Sequence, residues 1–190
     1  MDLANSHVDT WRRSVLRKLL WAGAAGLLML PAVAMRFTSE VDWTLSDFVF
    51  AGVLIGAAAS AVEVGMRLSG DWYFRLGVLA ATGGAFLTVW VNAAVGMIGS
   101  EANVVNLLYL GVVLTALVGS ILARFRAAGM ARAMFAALFL HVGIGIAALV
   151  VDLGDTPARV IGVTAVFALP WLLAGALLRA AAGPRAGAAA

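Results

Sequence analysis

Glu63 is the one carboxylate set deep in an apolar run, Ala51–Met66, and a group there is the first place to look for chemistry. An ionisable side chain in hydrocarbon is costly and is by default a candidate proton or cation site. The simpler reading lies four residues on. Arg67 follows Glu63 at the spacing and in the order that favour a helical ion pair, and a paired Glu63 needs no transport role. A second polar stripe runs through Gly84, Thr88, Asn92 and Gly96 at four-residue spacing. An amide facing lipid would lack partners, so Asn92 must face other helices, either binding a ligand or bonding a neighbour. With Glu63 and Thr115 these residues are the only material for a small transporter or ion-coupled carrier. His141 shares a helical face with Ala137 and Gly145. Haem ligation would want a second axial residue, and the only other histidine is His7, so a buried, hydrogen-bonded His141 is the expected use.

The densest polar constellation lies between the apolar runs. Glu40, Asp42 and Trp43 precede Thr44, Ser46 and Asp47; Glu101, Asn103 and Asn106 form a second group, and Asp152 and Asp155 a third. Carboxylates with amides can hold a divalent cation through oxygen, which makes Glu40, Asp42, Trp43, Asn92, Glu101, Asn103 and Asn106 the candidate ligand- or partner-binding residues. The same residues serve equally as a solvated acidic rim with helix caps, Thr44 or Ser46 capping the next helix and Asp47 facing its positive end. The chain has no cysteine, so thiol chemistry and thiolate metal sites are excluded. No nucleophile–base pair, phosphate-binding glycine loop or zinc-binding HExxH pattern occurs, and the residues name no catalytic group, no metal site and no cofactor.

These residues have to be carried by membrane-spanning helices. Of the 190 residues 63% are hydrophobic and 12% charged, with mean hydropathy +1.00, and a soluble domain carries about a quarter charged residues. Spans of about 20 apolar residues are expected near 16–35, 47–68, 74–99, 103–123, 133–151 and 158–178. The runs are continuous, not alternating, which favours helices over a barrel. If all six cross, Arg12, Arg13, Arg17, Lys18, Arg67, Arg75, Arg124, Arg126, Arg132, Arg179 and Arg185 share one face, and only Arg36 and Arg159 lie opposite. The positive-inside rule then places both termini in the cytoplasm. Five spans, with one run lying along the interface, would explain these charges less well. The basic balance therefore reads as topology, not as nucleic-acid binding.

The expected fold class is thus an all-α integral membrane helical bundle of about six transmembrane helices. A short cytoplasmic segment, 1–15, precedes a transmembrane domain, 16–179, and a flexible cytoplasmic tail, 180–190, follows. The stretch from Arg12 to Lys18, its apolar run and Ala32-Val33-Ala34 also read like a signal peptide, with a twin-arginine hint at Arg12-Arg13. As a retained anchor it gives the same topology. Spans two–three and four–five align weakly at an offset of 59, matching Gly52-Val53-Leu54 with Gly111-Val112-Val113, Arg67 with Arg126 and Gly70 with Gly129, as a parallel repeat would.

Three stretches carry a family resemblance. They are Phe37-Thr38-Ser39-Glu40-Val41-Asp42-Trp43-Thr44-Leu45-Ser46-Asp47-Phe48, Trp90-Val91-Asn92-Ala93-Ala94-Val95-Gly96-Met97-Ile98-Gly99-Ser100-Glu101, and Ala123-Arg124-Phe125 with Gly129-Met130-Ala131-Arg132-Ala133. The chain resembles a family of small, uncharacterised bacterial multi-spanning inner-membrane proteins. The resemblance implies a multi-pass protein of the bacterial inner membrane and transfers no activity; its pattern has Gln at the position of His141, which weighs further against haem. The expected function is a non-enzymatic accessory or structural subunit of a membrane assembly, in contact with the lipid bilayer and with a membrane protein partner or a second copy. A carrier using Glu63 and Asn92, and an outer-face cation-binding or enzymatic site, are the competing expectations.

Overall fold

A computed structural model describes residues 2–151 and 155–183, without the side chains of 2–14 and 16. The Arg12-Arg13 pair, Asp152 and the tail from 184 onward lie outside the described side chains or residues. Among the described residues the chain is all-α. Helices α1 (Asp2–Ala34), α2 (Leu45–Leu68), α3 (Trp72–Ala94), α4 (Leu107–Leu122), α5 (Ala127–Val151) and α6 (Pro157–Ala182) are joined by short connections, with a 3₁₀ turn at Val104–Asn106 before α4. All six contain a segment long and apolar enough to cross a bilayer. Two compact units divide the chain, Met1–Glu63 and Val64–Ala190.

The first unit is a helical hairpin. Its two helices meet where Leu28 lies over Gly52 and where the Trp21 indole Nε1 donates to Glu63 Oε2 at 2.7 Å. The turn into α2 is fixed locally. Thr44 precedes the helix, and Asp47 reaches back so that its Oδ2 accepts from both the Thr44 N–H and the Thr44 hydroxyl, each at 2.7 Å. This is the reciprocal half of a capping box, with Asp in the place usually taken by Glu. Asp47→Ala is expected to speed hydrogen exchange of the Thr44 amide and fray the first turn of α2, with little effect in the second unit.

In the second unit the four helices α3–α6 close a ring. Helix α5 packs on α4 and α6, and α3 packs on α4 and α6. The facing residues run in opposite directions along each pair: Gly77 with Leu178 and Gly84 with Pro170 between α3 and α6, Gly119 with Ala133 and Tyr109 with His141 between α4 and α5, and Gly145 with Thr164 and Phe135 with Gly175 between α5 and α6. The bundle is therefore up-down-up-down, as connections this short require. Lipid supplies no hydrophobic drive between helices, so close approach through small residues holds them. A β-carbon on Gly119 would sit 2.5 Å from that of Ala133, and one on Gly84 would sit 2.7 Å from Pro170 Cβ. Pro170 removes one rung of the α6 ladder, and Trp171 beside it is fully buried in the core.

Five residues at the end of the third expected span are not helical. Helix α3 stops at Ala94, and Val95–Gly99 fold back so that Met97 and Ile98 insert into the core at 0% and 1% exposure. Gly96 makes the reversal with φ +73°, and a β-carbon there would collide with the Ser100 carbonyl. The hydropathy of this segment belongs to a buried loop.

Candidate functional site

At the end of the second unit where α3 meets α4 and α5 meets α6, one side chain organises the buried loop. Asn106, 3% exposed, accepts from the Met97 and Ile98 N–H groups through Oδ1 at 3.1 and 2.9 Å, and donates through Nδ2 to the Ile98 and Ser100 carbonyls at 3.2 and 2.7 Å. Those are the backbone groups that leaving the helix would strand. Asn92 donates from Nδ2 to the Asn106 carbonyl at 2.8 Å, tying α3 to the start of α4. Asn103 caps the 3₁₀ turn by accepting from the Val105 N–H. The amides that looked available for a ligand are committed to the loop, and Glu101 stands exposed beside them.

Helix α6 supplies the outer half of the clamp. Asp155 Oδ2 accepts from the Gly99 N–H at 2.9 Å and pairs with Arg159 at 3.0 Å, and Arg159 donates to the carbonyls of Gly99 at 2.8 Å and Gly96 at 3.3 Å. The Asp155 side chain is only 6% exposed, so it is not part of a solvated rim. Arg159 has a use the sequence reading did not give it; the signal was its position four residues after Asp155.

The hydroxyls of the stripes proposed for transport are internally satisfied. Thr88, Thr115 and Ser120 each donate to the carbonyl four residues earlier on their own helix at 2.7 Å. His141 is fully buried; its Nε2 lies 3.2 Å from the Thr164 carbonyl, so Nε2 carries the proton, and its ring sits 5.3 Å from that of Tyr109. His141 Nδ1, Trp171 Nε1, Thr164 Oγ1 and Asn92 Oδ1 are buried without a hydrogen-bond partner. In the hairpin unit Glu40 and Asp42 are exposed, and Trp43 stacks edge-on against Phe48 at 5.2 Å, anchoring the start of α2. Among the described residues no three His, Asp or Glu side chains gather where they could hold a metal ion. Glu63 is half-buried with the Trp21 indole on its carboxylate, a partner 42 positions away that spacing rules do not reach, while Arg67 is exposed.

No family model, curated protein or solved structure matches this chain.

Chemistry must therefore be read from geometry alone. The cluster at this end is a structural clamp in which Asn92, Asn106 and Arg159 turn their donors onto backbone carbonyls. The matched glycines of the sequence repeat are used differently: Gly129 packs against Ala123, while a β-carbon on Gly70 would meet open space.

At the opposite end the basic residues divide into committed and uncommitted groups. Arg75 closes the α2–α3 turn, donating to the Ser69 and Met66 carbonyls at 2.8 and 3.2 Å. The guanidinium of Arg124 takes part in no hydrogen bond or ion pair with the described residues. Its backbone is the unusual feature: Arg124 and Phe125 both have positive φ, 50° and 56°. They form the C-terminal reversal of α4, in which the Phe125 N–H reaches the Ser120 carbonyl and the Arg124 N–H reaches that of Ile121. Glycine is the usual residue at the first of these positions, because a side chain there costs about 1 kcal/mol.

Proposed function

We infer that the chain is a non-enzymatic multi-pass protein of the bacterial inner membrane, with both termini in the cytoplasm, acting as an accessory or structural subunit of a membrane assembly. The observation that carries this reading is the state of α1. None of its spanning window, Arg17–Ala34, is buried, whereas 22–33% of each other span is. It nonetheless contains Gly23, Ala24, Ala25 and Gly26, and a β-carbon on either glycine would meet nothing within 4 Å. Glycine weakens a helix unless close packing uses it. Gly23 and Gly26 share a helical face, and a face of this kind left unused within the hairpin fits a helix from another polypeptide. The chemistry of the second unit supports the same view: its hydroxyls and amides hold helices and a loop in place, and the carrier reading needs them lining a path.

The test is extraction in a mild detergent followed by native electrophoresis and mass determination. The expected result is a defined complex larger than one chain, containing either a second protein or a second copy. A strictly monomeric species across mild detergents contradicts the reading.

A further inference from the structure

The uncommitted arginine faces a cavity. At the basic end of the second unit, where α2 ends, α3 and α5 begin and α4 turns back, lies a pocket of about 320 Å³. Arg124, Ser69, Asp71 and Ala127 give it polar groups, and Leu68 and Phe125, 49% and 39% exposed, stand at it as apolar walls. We propose that this pocket holds the headgroup of a phospholipid that carries a phosphate and a terminal hydrogen-bond donor.

The donors that line the pocket suit an anion. Arg124 presents a guanidinium with no partner among the described residues, at a backbone position where glycine would be less strained, so the side chain is what the position provides. A planar guanidinium suits phosphate oxygens in pairs. The Ser69 hydroxyl accepts from the Asp71 N–H at 3.1 Å, which leaves its own proton to give. Ala127 opens α5, and no backbone carbonyl takes its N–H. The acceptor is Asp71. Its Oδ1 caps α3 by accepting from the Phe74 N–H at 2.7 Å. The carboxylate suits a headgroup hydroxyl or ammonium and would repel a bare phosphate placed against it. Arg67, Arg75, Arg126, Arg132 and Arg179 lie at the same end of the second unit, raising the local concentration of anionic lipid. Leu68 and Phe125 face the level where a lipid's glycerol and first acyl carbons lie.

The experiment uses the delipidated full-length protein in detergent, titrated with short-chain phosphatidylglycerol and followed by native mass spectrometry and thermal unfolding. Saturable binding is expected, weakened about tenfold by Arg124→Gln, which removes one charge-assisted contact. Arg124→Lys retains part of it. Arg179→Gln, an equal loss of charge on the same end but outside the pocket lining, weakens it by less than about twofold. Short-chain phosphatidylcholine, whose headgroup has no N–H or O–H, binds more weakly, and glycerol phosphate without acyl chains binds far more weakly. Because Gln keeps the strained backbone, unfolding of each variant in the absence of lipid shows whether it is folded; the Arg124→Lys and Ser69→Ala proteins provide the measurement if Arg124→Gln is not. Equal binding by Arg124→Gln and the parent overturns the proposal. Equal losses in Arg124→Gln and Arg179→Gln also overturn it, since diffuse charge would then suffice. Glycerol phosphate or phosphatidylcholine binding as tightly as phosphatidylglycerol overturns the lipid assignment.

Discussion

Replacing Asn106 with leucine is expected to destabilise the second unit by about 4 kcal/mol, because leucine fills the space and makes none of the bonds. Four hydrogen bonds to loop backbone disappear together, and the Met97 and Ile98 N–H groups are left buried without acceptors. Each stranded group carries a penalty of about 1–3 kcal/mol, which exceeds the gain from burying a leucine there. Unfolding in mixed detergent–SDS micelles measures the loss. Limited proteolysis gives the location, since release of the loop exposes Met97 and Ile98 to cleavage between Gly96 and Ser100. Asn106→Asp is expected to fall between leucine and the parent, as it keeps the two acceptor bonds and loses the two donor bonds. A leucine variant as stable as the parent would mean that the loop is held by something other than Asn106.

The second large effect is steric. Gly119→Ala puts a methyl carbon 2.5 Å from Ala133 Cβ and 3.4 Å from Ala133 Cα on the facing helix. Neither neighbour has a rotamer to change, so α4 and α5 must separate, at about 2 kcal/mol. The reciprocal change supplies the check. Gly119→Ala with Ala133→Gly restores the packing volume and should recover most of the stability, a coupling that double-mutant analysis isolates. Gly143→Ala on α5, where a β-carbon meets nothing within 4 Å, should change stability by less than about 0.5 kcal/mol. Equal losses at positions 119 and 143 would contradict helix packing through Gly119.

The helices were legible because length and hydropathy are enough to mark a span: five of the six runs correspond closely to α1, α2, α4, α5 and α6 over their apolar parts. The third failed at its end for a physical reason. Val95, Met97 and Ile98 are apolar whether they sit in a helix or in a loop folded into the core, and only Gly96 and Gly99, both with positive φ, hinted at the difference. Asn92 and Asn106 stood out in the sequence as polar residues needing partners. Their partner proved to be loop backbone, and that requires knowing that the chain turns back between them. The Trp21–Glu63 bond crosses 42 positions and no local rule reaches it. Arg124 was visible as one more cation on the basic side and as part of the stretch Ala123-Arg124-Phe125; its left-handed backbone, in a residue other than glycine, has no sequence signature.

The proposed subunit role depends most on α1 being a helix that another polypeptide covers. A photo-crosslinking residue placed at Leu30, 60% exposed on α1, and separately at Phe139, 75% exposed on α5, tests this in intact membranes. A covered α1 gives a discrete polypeptide adduct from position 30, of one mass on denaturing gels, and lipid adducts alone from position 139. Lipid adducts alone from both positions, with no higher-mass polypeptide band, would contradict it.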